Sequence, residues 1–462
     1  MVAAIVLVFI IGYLAIVFEH PLHLDKTVPA LLMGALIWAL LAVGFNLGLV
    51  EAIDTHGGIF SMITDHGHSA GDHGGHGGAA DGFANALLHH LGKTAEILVF
   101  LIGAMTIVEI IDLHRGFDII KGWVKTRNKK KLLWIVGALA FILSAIIDNL
   151  TATIVIVTLL GKLIPERNSR IWFVSLAVIA ANAGGAWSPI GDVTTTMLWI
   201  GKKVSTGGLV KWLVIPSIVC FVVPFFVATF LKPFQGDLKI NESDETESHR
   251  LLSSRTMLFL GLGAIIFVPI FKVLTHLPPY IGMMLSMGFV WLVSEYIHPE
   301  EDFTEEKKHH YSAHKALSRI EMSSILFFLG ILMAVAALET LVVGGVGALA
   351  YVAQGLDNAV PNQDVVVMLL GVGSAIIDNV PLVAASMGMY TAELDAKLWH
   401  FIAYSAGTGG SMLIIGSAAG VAAMGMDKID FIWYLKKIAW LAAIGFIAGA
   451  LVFLGMYAAL GG

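Results

Sequence analysis

The hexapeptide Ser144-Ala-Ile-Ile-Asp148-Asn149 interrupts a long apolar stretch, and the same six residues return as Ser374-Ala-Ile-Ile-Asp378-Asn379. An ionised carboxylate at the centre of a membrane helix costs about 2.5–3.5 kcal/mol, so each interruption needs a physical reason. We interpret the surrounding segments, roughly 131–161 and 364–390, as re-entrant hairpins. Irregular backbone at membrane depth is tolerated where it is buried in protein or lines an aqueous cavity.

The composition assigns most of the chain to a lipid environment. Of the 462 residues, 57% are hydrophobic and 13% are charged, whereas soluble domains have about 45–50% and about 25%. This excludes an ordinary soluble enzyme and makes membrane lipid the main partner. The single cysteine, Cys220, excludes a disulfide framework. The net charge of -6, without a basic stripe, excludes nucleic acid as a partner.

Apolar stretches of about 18 residues or more predict membrane crossings. Ten stretches qualify, apart from the two hairpin segments. They are residues 2–18, 28–50, 94–111, 171–200, 208–231, 255–275, 280–298, 320–340, 398–425 and 431–460.

The distribution of positive charge orients these crossings. In this topology 22 of the 28 Lys and Arg residues lie on one side of the membrane and 6 on the other. Cytoplasmic loops carry the excess of Lys and Arg, so the basic side is predicted to be cytoplasmic. Both termini are then extracytoplasmic. If either hairpin were a full crossing, the later loops would change sides, and the difference in Lys and Arg between the two sides would be smaller.

The two hexapeptides belong to an internal repeat. A pair of glycines followed by a third glycine also recurs, first as Gly184, Gly185 and Gly191 and then as Gly409, Gly410 and Gly416. Ordered matches at a nearly constant offset indicate duplication. We predict a first repeat over 1–231, a polar cytoplasmic linker over 232–254 and a second repeat over 255–462.

The repeats are expected to have opposite orientations, because an odd number of crossings in the first half forces the second half to enter from the other side. The predicted fold is an all-α integral membrane protein with two inverted-topology repeats. Each repeat has five crossings, one re-entrant hairpin and one discontinuous helix. Such repeats are the architecture of secondary transporters; simple duplication of a helical core is the alternative.

Asp148 and Asp378 are candidate cation ligands, because carboxylate, amide and hydroxyl oxygens suit a hard cation. The alternative is that each Asp caps the helix that follows it. The neighbouring side chains that supply neutral oxygens are Asn149, Thr151, Ser144, Asn379 and Ser374.

A second polar cluster surrounds Pro189, which breaks its helix because proline lacks an N–H donor. The candidate ion-binding or proton-binding side chains here are Asn182, Ser188, Asp192, Thr194 and Thr195. The corresponding part of the second half has Thr408 and Ser411 but no acid, so the site is predicted to be asymmetric.

Six further side chains are candidates for proton relay or pH sensing: Glu96, Glu109, Glu321, Glu339, His89 and His90. His89 and His90 are predicted at the mouth of the third crossing. They end a tract over 54–90 that is rich in His, Gly and Asp, which is interpreted as an extracytoplasmic loop with incidental metal affinity or as a specific metal site.

The centres of the predicted crossings contain no Lys or Arg. Acids without basic partners favour a cation or proton as substrate over an anion. The alternatives are an anion carrier and a cation channel. A membrane enzyme is disfavoured, because the crossings contain no nucleophile with a base and an orienting group.

The repeated hexapeptides, together with Asn182-Ala-Gly-Gly-Ala-Trp-Ser-Pro-Ile-Gly-Asp192-Val-Thr-Thr, resemble the NhaD family of sodium/proton antiporters. This family belongs to the ion transporter superfamily, which includes arsenite and dicarboxylate carriers. The resemblance implies export of Na⁺, and of Li⁺, in exchange for H⁺ across a bacterial inner membrane by a homodimer. No cofactor is expected beyond the transported ions, and Na⁺ is expected at Asp148, Asn149, Asp378 and Asn379.

Overall fold

A computed structural model describes residues 1–53, 58–61, 79–121, 126–238, 251–297, 313–376 and 378–460. Most of the predicted His-rich loop and of the polar linker lies outside these residues. Within them, the regular structure is helical apart from two short antiparallel hairpins. These pair Ala52–Ile53 (β1) with Ile59–Phe60 (β2) and Val342–Val343 (β3) with Val346–Gly347 (β4).

The helices of the first half are separated mainly by short turns. They are α1 (Val2–Val17), α2 (Glu19–Leu22), α3 (Thr27–Asn46), α4 (Ala79–Leu113), α5 (Asp118–Lys121), α6 (Lys129–Ile147), α7 (Asn149–Leu163), α8 (Arg167–Gly185), α9 (Val193–Ile200) and α10 (Thr206–Ala228), followed by a 3₁₀ turn at Lys232–Phe234.

The helices of the second half include several short ones around the second hexapeptide. They are α11 (Ser254–Thr275), α12 (Pro279–Tyr296), α13 (Ala313–Leu317), α14 (Met322–Thr340), α15 (Ala348–Ala359), α16 (Gln363–Gly373), α17 (Asn379–Met389), α18 (Lys397–Gly409), a 3₁₀ turn at Gly410–Met412, α19 (Ala418–Asp427), α20 (Phe431–Lys437) and α21 (Ala439–Leu460).

Seven helices of the described residues are long and apolar enough to cross a membrane: α3, most of α4, α6, α10, α11, α14 and α21. Shorter apolar helices are α1, α7, α16 and α17. The prediction of an all-α membrane protein is confirmed. The stretches predicted as crossings at 171–200 and 398–425 are each divided into two helices, as expected of discontinuous helices.

Helix α4 begins much earlier than the crossing predicted at 94–111. It starts at Ala79 and is 35 residues long, so it exceeds the roughly 20 residues that span the hydrocarbon core. Its first turns contain His, Lys and Gly among apolar residues, and these lower the hydropathy on which the prediction depended. His89 and His90 therefore lie within α4, ahead of residue 94, where the predicted crossing begins.

The described chain divides into two compact units. The first comprises Met1–Leu98, Glu321–Val366 and Val380–Thr391. Its centre is the packing of α3 on α14, where a Cβ atom on Gly34 would lie 2.7 Å from the carbonyl oxygen of Gly330. The indole N–H of Trp38 donates to the carbonyl oxygen of Met333 at 2.8 Å.

The second unit comprises Val99–Ile320, Val367–Asn379 and Ala392–Gly462. In it α10 packs along α21, and Gly445 comes so close to α10 that a Cβ atom there would lie 2.5 Å from the carbonyl oxygen of Cys220. Both compact units draw on both halves of the sequence, so compactness does not test the predicted repeat boundaries.

Candidate functional site

The first interruption lies between α6 and α7, at Asp148. Its φ of 89° and ψ of 158° fall in a region that is essentially restricted to glycine. One carboxylate oxygen of Asp148 accepts the N–H of Thr151 at 2.8 Å, and the other accepts the Thr151 hydroxyl at 2.8 Å. The helix is therefore interrupted where predicted, and the Asp148 carboxylate caps α7.

The second interruption lies between α8 and α9 and ends at Asp192. Pro189 and Gly191 occupy the intervening turn. The Asp192 Oδ1 atom accepts the N–H of Thr194 at 2.8 Å and its hydroxyl at 2.7 Å, while the hydroxyl of Thr195 donates to the Asp192 carbonyl oxygen at 2.8 Å. Asp192 is thus the N-cap of α9.

The Asp192 carboxylate joins the two repeated hexapeptides. Asn149 donates its side-chain N–H to Oδ2 at 2.6 Å, and Asn379 lies 3.4 and 3.3 Å from the two carboxylate oxygens. Each Asn is the first residue of the helix after its interruption. Asp192 is 2% exposed and interacts electrostatically with Asp148 and Asp378.

No Lys, Arg or His of the described residues forms an ion pair with Asp148 or Asp192. Asp378 is half-buried and lies directly before α17, while residue 377 is outside the described chain. The negative charge at this site is therefore concentrated around Asp192, which sequence reasoning placed second to Asp148 and Asp378.

Asn182 extends the network into the second half of the chain. Its side-chain oxygen accepts the Asn149 N–H at 3.1 Å, and its nitrogen donates to the hydroxyls of Ser411 and Ser417, each at 2.9 Å. Ser417 was not among the predicted site residues. The signal was available, because Ser417 follows Gly416 as Asp192 follows Gly191.

Ser144 and Ser374 make equivalent contacts in the two halves. The Ser144 hydroxyl donates to the carbonyl oxygen of Ala181 on α8 at 2.5 Å, and the Ser374 hydroxyl donates to that of Ala406 on α18 at 2.8 Å. Each serine thus fastens an interrupted segment to a discontinuous helix.

The remaining hydroxyl candidates are buried within their own elements. The Thr408 hydroxyl donates to the carbonyl oxygen of Tyr404 at 2.6 Å. The Ser188 hydroxyl lies 3.4 Å from the N–H of Ile190, which donates to it. These contacts stabilise the local turns, and they do not join Thr408 or Ser188 to the Asp192 carboxylate.

The acidic candidates outside this network lie in other surroundings. Glu109 forms an ion pair with Arg319 at 3.1 Å, and Asp112 contacts the same guanidinium at 2.7 Å. Glu96, Glu321 and Glu339 belong to the first compact unit, whereas the Asp192 network belongs entirely to the second.

His89 and His90 also belong to the first unit. His90 is 6% exposed, and its ring centroid lies 6.3 Å from that of Trp38. Five of the seven histidines in the tract over 54–90 lie outside the described residues. Within the described residues, no group of three or more His, Cys, Asp and Glu side chains could hold a metal ion.

Comparison of the amino-acid sequence with known proteins identifies its family. A sequence profile for the citrate transporter family matches residues 13–401. The chain is 42% identical to sodium/proton antiporter 1 of Arabidopsis thaliana over 458 residues, which cover 98% of this chain and 72% of that protein. It is 32% identical to the Na(+)/H(+) antiporter NhaD of Vibrio cholerae over 460 residues, covering 94% and 87%.

The chain belongs to the NhaD family. The resemblance carried by the hexapeptides is confirmed, and the chain is a multi-pass membrane transporter and not an enzyme. In this NhaD-family protein, the segments that carry the resemblance supply Asp148, Asn149, Asn182, Asp192 and Asn379 to one hydrogen-bonded and electrostatic network.

Proposed function

We propose that this chain exports Na⁺, and also Li⁺, in exchange for H⁺. The observation that carries the proposal is the Asp192 carboxylate, which is 2% exposed and accepts N–H groups from Asn149 and Asn379. No basic side chain of the described residues pairs with it. A buried carboxylate is costly unless a cation or a proton neutralises it. The names of the plant and bacterial relatives, sodium/proton antiporters, support the same ions.

The cation is proposed to bind among the oxygens around Asp192. Asn149 and Asn379 carry amide oxygens next to the nitrogens that contact Asp192, and the carboxylates of Asp148 and Asp378 directly precede them in sequence. Hard cations prefer such oxygen ligands. Asp192 is thereby added to the Na⁺ ligands expected from the sequence.

Competition between ions is the proposed basis of exchange. A proton on one of these carboxylates removes the charge that holds the cation, and a bound cation disfavours protonation. The two ions therefore occupy the pocket alternately. Coupling follows when the pocket changes its accessibility while it is loaded with either ion, and not while it is empty.

Matched backbone contacts support the proposed inverted repeats and re-entrant hairpins. A Cβ atom at Gly184 would overlap the carbonyl oxygen of Phe141, and one at Gly409 would overlap that of Gly371. Gly409 corresponds to Gly184, and Gly371 to Phe141, by the same differences in residue number that relate Ala406 to Ala181 and Ser374 to Ser144. Two interrupted helices that meet at one polar site are typical of transporters that work by alternating access.

The remaining sequence predictions are part of the same proposal: a homodimer in a bacterial inner membrane, with both termini extracytoplasmic. Relatives occur in both bacteria and plants, so fractionation of the source cells is the test of location. Labelling of cysteines introduced at each terminus tests orientation, and cross-linking in native membranes tests the dimer.

The exchange itself is tested in everted vesicles from cells that lack other sodium/proton exchangers. Na⁺ or Li⁺ should release protons and dequench a pH probe. Asp192→Asn should reduce the rate on the order of tenfold or more, since a hydrogen-bonded charged group contributes about 1.5–3 kcal/mol. The neutral amide has no charge to attract the cation, and its NH₂ group replaces a carboxylate oxygen that accepts from Thr194 or from Asn149. Wild-type exchange by this variant would refute the assignment.

Asp430→Asn is the matched control. Asp430 is also a helix N-cap, and its Oδ1 atom accepts the Trp433 N–H at 2.8 Å, but it is exposed. Its substitution should leave exchange intact. A comparable loss in both variants would indicate damage to helix capping instead of loss of an ion ligand.

An anion carrier is the second candidate, because the matching sequence profile is described as a citrate transporter. A citrate-sized anion requires positive or donor groups, whereas the described network concentrates acids. Proteoliposomes that take up labelled citrate, but show no Na⁺-driven proton movement, would favour the anion carrier. Current beyond the coupled flux would favour a cation channel.

A further inference from the structure

Helix α9 is held at both ends by charged side chains. Its N-terminus is capped by Asp192, and at its C-terminus the Lys272 ammonium donates to the carbonyl oxygen of Trp199 at 3.1 Å. The Lys272 nitrogen also lies 4.1 Å from the centroid of the Trp199 ring. Trp199 is fully buried. One lysine therefore contacts both the backbone and the side chain at the end of this helix.

The signs of the two charges match the helix dipole. A carboxylate stabilises the positive N-terminal end of a helix, and an ammonium stabilises the negative C-terminal end. Helix α9 has eight residues and is about 12 Å long at 1.5 Å per residue. A movement of its C-terminal end is transmitted to Asp192, because so short a helix behaves as a rigid rod.

The Lys272 contact joins the end of α9 to another helix. The Trp199 carbonyl oxygen also accepts the N–H of Lys202 at 3.3 Å, but that contact lies within the same turn of the chain. Every residue from Thr194 to Ile200 is buried, so water cannot easily replace the contact with Lys272. Lys272 comes from α11, outside the interrupted helices. It therefore ties α9 to a separate, continuous helix of the same compact unit.

We infer that Lys272 is a positioning residue of the ion site, which fixes the C-terminal end of α9 and thereby the Asp192 carboxylate at its other end. The inference depends on the proposed function. Lys272 touches neither Asp192 nor the two asparagines that contact it. Its role is to hold the helix that presents the carboxylate.

The test compares Lys272→Met with Lys272→Arg in the vesicle assay. Methionine keeps an apolar stem without the cation, and we expect it to raise the half-saturating Na⁺ concentration roughly tenfold, which corresponds to about 1.4 kcal/mol. The maximal rate should change less. Arginine keeps the cation and the donors, so it should restore most of the Na⁺ affinity.

Lys211→Met is the matched control. Lys211 also lies over an indole, with its nitrogen 4.6 Å from the Trp212 centroid, but it is exposed, and the indole belongs to its own helix, α10. Its loss should leave Na⁺ affinity unchanged. Equal shifts in Lys211→Met and Lys272→Met, or no recovery in Lys272→Arg, would overturn the inference.

Lys272→Gln provides a second variant in case methionine prevents folding. Its neutral amide can still donate to the Trp199 carbonyl, and we expect an intermediate Na⁺ affinity. Purified variants are compared by the Na⁺-induced shift of thermal unfolding. A wild-type protein without Na⁺-dependent proton movement would contradict the proposed function, whereas normal Na⁺ affinity in Lys272→Gln and Lys272→Met would contradict only the role of Lys272.

Discussion

The backbone at Asp148 predicts an unusual order of stability among variants. With φ 89° and ψ 158°, any residue other than glycine is strained there, at a cost of about 1–3 kcal/mol. Asp148→Ala and Asp148→Gly both remove the carboxylate that caps α7. They differ in the strain, which favours glycine by about 1–3 kcal/mol, and in the conformational entropy lost on folding, which favours alanine by roughly 0.5–1 kcal/mol. The glycine variant should therefore be more stable by about 1–2 kcal/mol.

The measurement is thermal unfolding of both purified variants in one detergent, followed by tryptophan fluorescence at a single scan rate because membrane proteins commonly unfold irreversibly. Asp148→Gly should show the higher midpoint, although both variants should lose Na⁺-dependent exchange. The result would show that the strain at this residue serves function at the expense of stability.

Ala152→Gly is the control for glycine itself. Ala152 is buried in the interior of α7, where glycine is destabilising by roughly 0.5–1 kcal/mol relative to alanine. Glycine should therefore lower stability at residue 152 and raise it at residue 148. A glycine variant at 148 that is no more stable than the alanine variant would refute the strained conformation.

Two further predictions concern packing and pH. Gly184→Ala and Gly409→Ala should each destabilise the protein by about 1–3 kcal/mol, because the new methyl group overlaps a backbone carbonyl; unfolding midpoints equal to wild type would contradict the close approach. His114 lies beyond the end of α4, and burial lowers the pKa of its imidazole to about 4. Its contribution to the free energy of unfolding is complete above about pH 6.5 and is lost as the pH falls toward 4. The loss is about 3 kcal/mol, at 1.36 kcal/mol per pKa unit. The difference in unfolding midpoint between wild type and His114→Leu should therefore shrink over that interval, and a constant difference would count against it.

The interruptions could be predicted from sequence because their signals are local. Asp148 follows a run of apolar residues, and Pro189 and Gly191 weaken a helix wherever they occur. The resulting ends of α6, α8 and α9 agree with the prediction within a few residues. Asn149 and Asn379 could likewise be selected, because each follows an intramembrane Asp.

The central place of Asp192 could not be predicted. Its contacts to Asn149 and Asn379 join residues 43 and 187 positions apart, and they depend on packing that no local pattern encodes. Lys272 lies near the end of the crossing predicted at 255–275, and no local pattern indicates that its side chain contacts Trp199. Long side chains with a charged end can reach such distant partners.

The glycine contacts with Phe141 and Gly371 also bear on electrical insulation. A protein that exchanges Na⁺ for H⁺ must prevent chains of hydrogen-bonded water from carrying protons past its site. Where Gly184 and Gly409 meet opposing carbonyl oxygens, there is no room even for a methyl group, and therefore none for a water molecule. At these two contacts, the close packing of backbone against backbone excludes water without any moving part.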